Sequence, residues 1–221
     1  MIGRLIGMVH LGPLPGSPGF GGDLDAVVEA ALSDAAVLAA AGFDALMVEN
    51  FGDAPFYAEK VPDVTVASMA VAADAVRREA GLPIGVNVLR NDGLAAMAVA
   101  AAAGASFIRV NVLTWSMTTD QGPIVGRAAE VGRLRAALNP SIGIAADVMV
   151  KHAVPPPGLT LERAARDTWE RGGADALVVS GGATGDPAST ADLETVRRAV
   201  PDARILVGSG ASAATVGALL E

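Results

Sequence analysis

Three ionisable side chains, each at or near the end of a short apolar segment, are the first candidates for chemistry in this chain. They are His10, Glu49 and Asp147. Imidazole and carboxylate groups exchange protons in general acid–base catalysis, and both bind divalent metal ions. Lys151 follows Asp147 and is either an imine-forming amine or, as the residues favour, a solvated lysine or a charged partner of a carboxylate. We predict that these four residues are catalytic; a divalent metal ion is open, and no other cofactor is implied. The alternatives are a His10 bonded to backbone at its strand end, and carboxylates of Glu49 and Asp147 that only hold Arg109 or Lys151 in a buried ion pair.

A second group of polar residues has the chemistry of substrate positioning. Asn87, Arg109 and Asn111 lie within or just after apolar runs, and Arg109 and Asn111 are two residues apart, which places them on one face of a strand. Because a buried polar group is costly without a partner, such residues either bind a ligand or bind one another. We predict that they bind substrate together with His152, for which capping of its own loop is the alternative.

Two glycine-rich segments are candidates for anion binding. The first contains Gly181 and Gly182, and the second contains Gly208, Ser209 and Gly210. Glycine lets backbone N–H groups approach an anion closely, and a following helix adds a favourable dipole. These segments are therefore predicted to bind phosphate, with a purely conformational role in tight turns as the alternative.

A recurring phrase indicates which elements position these residues. An alanine-rich helix end, a glycine and a short apolar strand occur three times, at Ala40–Asn50, Ala102–Val112 and Arg171–Gly181. Between them lie strands that begin after Pro83, Pro140 and Pro201. This alternation is a βα repeat of about 30 residues, a period typical of repeated supersecondary units.

The repeat predicts a closed barrel of parallel strands. We count seven strand–helix units, including a fourth helix over Gly122–Leu138 and a seventh over Ser212–Leu220. The predicted fold is a TIM-type (β/α)8 barrel that lacks its eighth unit, forming a single domain over residues 1–221. In such barrels the strands end at one mouth, where the polar residues would meet. Long segments at Leu11–Gly22, Phe51–Val64 and Leu113–Gln121 would cover that mouth.

Composition excludes several functional classes. The formal net charge of −8 argues against a nucleic-acid partner, and the absence of cysteine excludes disulfides and thiolate chemistry. The longest apolar stretch, Gly93–Ala105, is too short for a transmembrane helix, and no signal peptide is visible, so we expect a cytoplasmic protein. A homo-oligomer is left open.

Several segments resemble the BtpA/SgcQ family, which is named for a photosystem I biogenesis protein and a sugar-operon protein. The resembling segments are Ile6–Pro18, Val48–Phe56, Asn87–Asp92, Ile108–Val112, Thr119–Gly122 and Ala146–Ala153. The resemblance implies a barrel of the ribulose-phosphate-binding kind, which in the family continues by one βα unit. Trp115 departs from the small residue expected there, which predicts a different shape for the loop after the fourth strand.

Two hypotheses about function follow. In the first, the protein is an enzyme of lyase, aldolase or isomerase type that acts on a small phosphorylated sugar or nucleoside-like compound at the barrel mouth. In the second, implied by the family name, it is a non-catalytic photosystem I assembly factor at a membrane surface. The sequence contains no basic amphipathic helix that would bind a membrane, and the polar residues at the strand ends exceed what assembly requires.

Overall fold

The computed structural model describes residues 2–181, 186–212 and 215–217, and it shows the predicted α/β fold. The chain divides into two compact units, one formed by residues 1–109 and 130–143 and the other by residues 110–129 and 144–221. Within each unit the parallel strands follow one another in chain order.

The first unit contains four parallel strands. They are β1 (Ile6–His10), β2 (Ala45–Glu49), β3 (Ile84–Asn87) and β4 (Phe107–Val110), whose last residue belongs to the second unit. β1 pairs with β2, β2 with β3, and β3 with β4. Every residue of β2, β3 and β4 is buried, as expected for strands covered on both faces.

Helices with well-formed ends connect these strands. They are α1 (Leu24–Ala40), α2 (Asp63–Ala80) and α3 (Gly93–Ala103), and a 3₁₀ turn at Phe51–Asp53 follows β2. The Asp23 carboxylate caps α1 by accepting a hydrogen bond from the Ala26 N–H at 3.0 Å, and Asp92 caps α3 in the same way. Gly104 ends α3 in the left-handed conformation that glycine adopts most easily.

A glycine–aromatic contact shapes the core of the first unit. A Cβ atom on Gly85 would lie 2.3 Å from Cε2 of Phe107, so the Phe107 ring fills the space above the glycine. Both residues are fully buried within their strands. β3 therefore requires glycine at this position, because any side chain would displace a buried aromatic ring.

The segment after β4 corrects the predicted fourth helix. Instead of a helix from Gly122, the chain forms a hairpin of β5 (Ser116–Thr119) and β6 (Gly122–Val125), and α4 (Ala128–Leu138) begins six residues later. The prediction of a loop over Leu113–Gln121 was also wrong, because this segment contains β5. Two β-branched threonines precede a two-residue turn at Asp120–Gln121, and Gly122 has φ +100, which a helix does not accommodate.

The second unit has its own parallel strands. β7 (Gly143–Asp147, whose first residue belongs to the first unit) pairs with β9 (Ala176–Val179), and β9 pairs with β10 (Ile205–Val207). The short β8 (Ala153–Val154) joins the hairpin by pairing antiparallel with β5. The helices are α5 (Leu161–Arg166), which continues as a π-helical turn over Asp167–Arg171, and α6 (Thr190–Ala199).

Trp115 attaches the hairpin to this π-helical turn. Its backbone has φ +63, and its indole Nε1–H donates a hydrogen bond to Oδ2 of Asp167 at 3.1 Å. The Arg163 guanidinium lies 4.8 Å from the ring centroid, a cation–π distance. The segment after β4 is thus held on the second unit by the residue that the sequence marked as unusual.

The predicted seventh helix over Ser212–Leu220 lies largely outside the described residues. Within residues 2–181, 186–212 and 215–217, no helix combines the length and the apolar character that crossing a bilayer would require.

Candidate functional site

Four of the predicted site residues form one row at the carboxyl end of the first unit's sheet. The strand register pairs His10 with Glu49, Glu49 with Asn87, and Asn87 with Arg109. Residues paired in a parallel sheet lie side by side, so these four residues lie at the same edge of the sheet. The structure therefore brings together an imidazole, a carboxylate, an amide and a guanidinium that are separated by up to 99 positions in the sequence.

The His10 and Glu49 side chains face each other within this row. Nε2 of His10 lies 3.6 Å from Oε1 of Glu49, and the side chains are 47% and 9% exposed, respectively. The Phe51 ring stacks on the imidazole at a centroid distance of 4.6 Å and an interplanar angle of 23°. The Glu49 carboxylate is thus buried, while the His10 imidazole, oriented by Phe51, remains accessible to a ligand.

Asn87 and Arg109 form the buried end of the row. The Asn87 amide donates a hydrogen bond from Nδ2 to the Arg109 carbonyl oxygen at 3.0 Å. Both residues are buried. This hydrogen bond orients the Asn87 side chain and ties the ends of β3 and β4 together, and Arg109 contributes a positive charge on the same row as Glu49.

A hydrogen-bond network behind the row connects the loops that follow β1, β2 and β3. Oδ1 of Asn50 accepts a hydrogen bond from the Leu89 N–H at 2.7 Å, and its Nδ2 donates to Oδ2 of Asp53 at 3.0 Å. Oδ1 of Asp53 in turn accepts from the Leu14 N–H at 2.8 Å. Sequence reasoning assigned no role to this Asn50–Asp53 network, although both residues lie in the segment Val48–Phe56 that carries the family resemblance.

The loops after β1 and β2 also touch through their backbones. The Gly52 N–H donates to the Leu11 carbonyl oxygen at 2.9 Å. A Cβ atom on Gly52 would lie 2.5 Å from the backbone nitrogen of Pro13. Only glycine permits this approach, which brings Phe51 to its position against His10.

The remaining predicted catalytic and substrate-binding residues belong to the second unit. Nδ2 of Asn111 donates to Oδ2 of Asp147 at 2.8 Å, and both residues are buried. Lys151 is partly buried and His152 is exposed, with φ +60, in the turn after β7. The pairing of Asn111 with Asp147 gives each polar side chain a partner, and the roles of these four residues remain predictions.

The predicted phosphate loops contact each other within the second unit. The Gly181 N–H donates to Oγ of Ser209 at 3.0 Å, and that hydroxyl donates to the Asp186 carbonyl oxygen at 2.8 Å. A Cβ atom on Gly210 would lie 2.3 Å from Cα of Pro187. Close packing against backbone atoms thus accounts for the glycines at positions 181 and 210. Gly208 donates its N–H to the Val179 carbonyl oxygen, Gly182 lies outside the described residues, and phosphate binding remains a prediction.

Metal ligation has little support in the described part of the chain. No group of three or more His, Asp or Glu side chains is assembled there in a way that could hold a metal ion. The His10–Glu49 pair supplies two groups of suitable chemistry.

Similarity to known proteins extends over nearly the whole chain. The family profile described as "BtpA family" matches residues 2–221. The chain belongs to the BtpA family. It is 56% identical over 210 residues to an uncharacterized protein of Thermococcus kodakarensis, covering 94% of this chain and 78% of that protein. It is 46% identical over 217 residues to the photosystem I biogenesis protein BtpA of Synechocystis, covering 98% of this chain and 76% of that protein.

Solved structures with a similar fold are enzymes of the TIM-barrel type. A candidate phosphonomutase from Burkholderia cenocepacia aligns with a TM-score of 0.59 at 20% identity, covering 98% of this chain and 83% of that chain. A mandelate racemase/muconate lactonizing enzyme from Roseiflexus aligns with a TM-score of 0.54 at 14% identity, covering 93% of this chain and 48% of that chain. At these identities the similarity shows the fold that BtpA-family members share with such enzymes, and nothing about their substrates.

Proposed function

We propose that this BtpA-family protein is an enzyme that acts on a small phosphorylated sugar or nucleoside-like compound at the carboxyl ends of its parallel strands. The observation that carries the proposal is the row His10–Glu49–Asn87–Arg109, which is in register across four neighbouring strands. Polar side chains at this edge of barrel-type sheets are the usual source of catalytic groups. A row made only for stability would not require an exposed imidazole beside a buried carboxylate.

In the proposed mechanism, His10 transfers the proton. Its ring is accessible, and Glu49, 3.6 Å away, is placed to orient the ring. Distances between catalytic groups are commonly longer without substrate and shorten in the complex. A proton transfer next to a substrate carbonyl or hydroxyl, as in lyase, aldolase or isomerase reactions, suits such a pair.

Charge stabilisation is assigned to the other end of the row. A buried guanidinium such as that of Arg109 stabilises negative charge that develops on a substrate oxygen more strongly than an exposed one does. Asn87, fixed by its hydrogen bond to the Arg109 backbone, would orient the same oxygen. For the second unit we further propose a catalytic role of Asp147 and Lys151, substrate binding by Asn111 and His152, and phosphate binding by the loops at Gly181 and Gly208–Gly210.

A turnover screen tests this proposal. Phosphorylated sugars and nucleotides are supplied with and without Mg²⁺, and product formation is followed by mass spectrometry alongside a thermal shift assay. Glu49→Gln is compared with Glu29→Gln, which removes the same charge from an exposed position on α1. We expect Glu49→Gln to lower turnover strongly and Glu29→Gln to leave it unchanged. If no compound binds or turns over in the unaltered protein, the proposal is wrong.

The printed name of the Synechocystis relative motivates a second candidate, a photosystem I assembly factor. The chain is also 31% identical to a mitochondrial protein of Caenorhabditis elegans, an animal without photosystem I. A relative in such an animal favours a metabolic role over photosystem I assembly. The cytoplasmic location expected from the sequence is a separate proposal. Fractionation of cells that express the protein decides between the two: recovery in the soluble fraction supports the enzyme, and salt-resistant sedimentation with membranes supports the assembly factor.

A further inference from the structure

A cavity separate from the His10–Arg109 row lies among the loops of the first unit. Its volume is about 340 Å³, which falls within the range of small-molecule sites. The polar and aromatic residues that line it are Ser17, Asn50, Asp53, Phe56, Tyr57 and Thr65. The other five lining residues are glycine, proline or aliphatic. None of the row residues lines the cavity, but Asn50 does, and Asn50 directly follows Glu49.

The chemistry of the lining selects against an anion. No lysine, arginine or histidine lines the cavity, whereas Asp53 does. Each Asp53 oxygen accepts one hydrogen bond from an uncharged donor, the Leu14 N–H or the Asn50 amide. A carboxylate has about four acceptor positions, so Asp53 retains capacity for donors supplied by a ligand.

Ser17, which lines the cavity, has a hydroxyl without a hydrogen-bond partner among the described residues. Its Oγ atom is shielded from solvent. A buried hydroxyl without a partner is costly, by about 1–3 kcal/mol. Hydroxyl groups of a ligand would supply both kinds of partner, an oxygen that accepts from Ser17 and an O–H that donates to Asp53.

The aromatic residues complete the pattern. Phe56 and Tyr57 supply flat apolar faces, on which the C–H face of a sugar ring or a nucleobase packs. We propose that this cavity binds the uncharged, hydroxyl-bearing part of a ligand, a pentose or a nucleoside. The inference rests on the proposed function and deepens it, because it assigns the uncharged sugar part of the substrate to the cavity.

Tyr57 provides a direct probe, because it is the only tyrosine in the chain. Protein labelled with 3-fluorotyrosine gives a single ¹⁹F resonance from the cavity. Uncharged pentoses, hexoses and nucleosides are titrated into it, and inorganic phosphate and tetramethylammonium serve as charged probes. We expect at least one uncharged compound to shift the resonance in a saturable manner, and neither charged probe to do so.

A matched pair of serine variants locates the binding. Ser17→Ala removes the hydroxyl in the cavity, whereas Ser141→Ala removes an exposed hydroxyl that bonds to Asn139. The loss of one neutral hydrogen bond should weaken binding about three- to tenfold in Ser17→Ala and leave Ser141→Ala unchanged. The thermal melting of both variants shows whether the fold is retained.

The outcomes separate this inference from the proposed function. If no uncharged compound shifts the resonance, if only a charged probe does, or if Ser17→Ala binds normally, the cavity proposal is wrong. Turnover of a phosphorylated compound that depends on Glu49 would in that case still support the enzyme. Saturable sugar binding that persists in Glu49→Gln, without turnover of any phosphorylated compound by the unaltered protein, would support the cavity and contradict the enzyme.

Discussion

His10 and Glu49 occupy paired positions on adjacent parallel strands, and their side chains approach to 3.6 Å at the carboxyl end of the sheet. The pair combines one accessible group with one buried group. Phe51, which follows Glu49 by two residues, stacks on the imidazole from the next turn of the chain. Two neighbouring strand ends and one short loop are therefore sufficient to build the pair.

We predict that His10→Gln and Glu49→Gln impair turnover as a unit. Each single substitution should lower kcat/KM for the substrate that the screen identifies by about 10²- to 10⁴-fold, the range for a general acid–base group. The double variant should lose little more than the more impaired single variant, because residues that act together are not additive. Multiplicative losses in steady-state kinetics would contradict a shared role.

Asn50→Ala should destabilise the first unit. The substitution removes the acceptor of the buried Leu89 N–H and the donor to Asp53, and a buried group left without its partner costs about 1–3 kcal/mol. Urea unfolding measures the effect. Asn139→Ala is the control, since Asn139 bonds to Ser141 in an exposed turn, and its effect should be much smaller. Equal effects in the two variants would show that the Asn50–Asp53 network adds nothing to stability.

Two glycine-to-alanine substitutions should change the stability of the protein in opposite directions. Gly85→Ala places a methyl group against the buried Phe107 ring and should destabilise the protein by about 1–3 kcal/mol, as overpacking does. Gly132 lies inside α4, and a Cβ atom there would meet no atom within 4 Å. Gly132→Ala should therefore stabilise the protein by about 0.5–1 kcal/mol. Calorimetric melting of both variants checks the prediction, which a stable Gly85→Ala protein would refute.

Asp74 should make stability depend on pH in the acid range. Hydrogen bonds from the Arg77 guanidinium and then from Arg78 lower the pKa of the Asp74 carboxyl below its ordinary value. A lowered pKa in the folded state means that the stabilisation is present above the pKa of the unfolded chain and is lost as pH falls through the folded pKa. The Asp74 side chain is partly exposed and both arginines reach solvent, so the effect is modest.

The comparison of Asp74→Asn with the unaltered protein measures this dependence. The unaltered protein should be more stable at neutral pH, and the difference in urea midpoint should vanish as the solution is acidified. Arg77 also donates a hydrogen bond from Nε to the Ala103 carbonyl oxygen at the end of α3, so it retains one contact in the variant. Asp34→Asn, at an exposed position on α1, serves as the control and should show no such trend.

The βα alternation and the strand ends could be read from the sequence because they depend on local patterns. Glycine after alanine-rich helices, proline before strands and runs of β-branched residues act within a few positions. The hairpin at Ser116–Val125 was not predicted, because its local signal is weak. Its signal is a short polar turn with a glycine, and the apolar residues around it fit a helix equally well until the antiparallel partners are known.

The candidate site likewise has features that local sequence patterns determine and features that depend on distant contacts. The sequence by itself determined which polar residues stand at or near strand ends, since each lies within or just after a short apolar run, and it placed His10, Glu49, Asn87 and Arg109 among them. Only the tertiary structure decided that these four share one row, that Phe51 stacks on His10, and that Ser17, Asp53 and Tyr57 line one cavity. The physical reason is that strand register and loop packing arise from contacts between residues far apart in the chain, and no local pattern encodes those contacts.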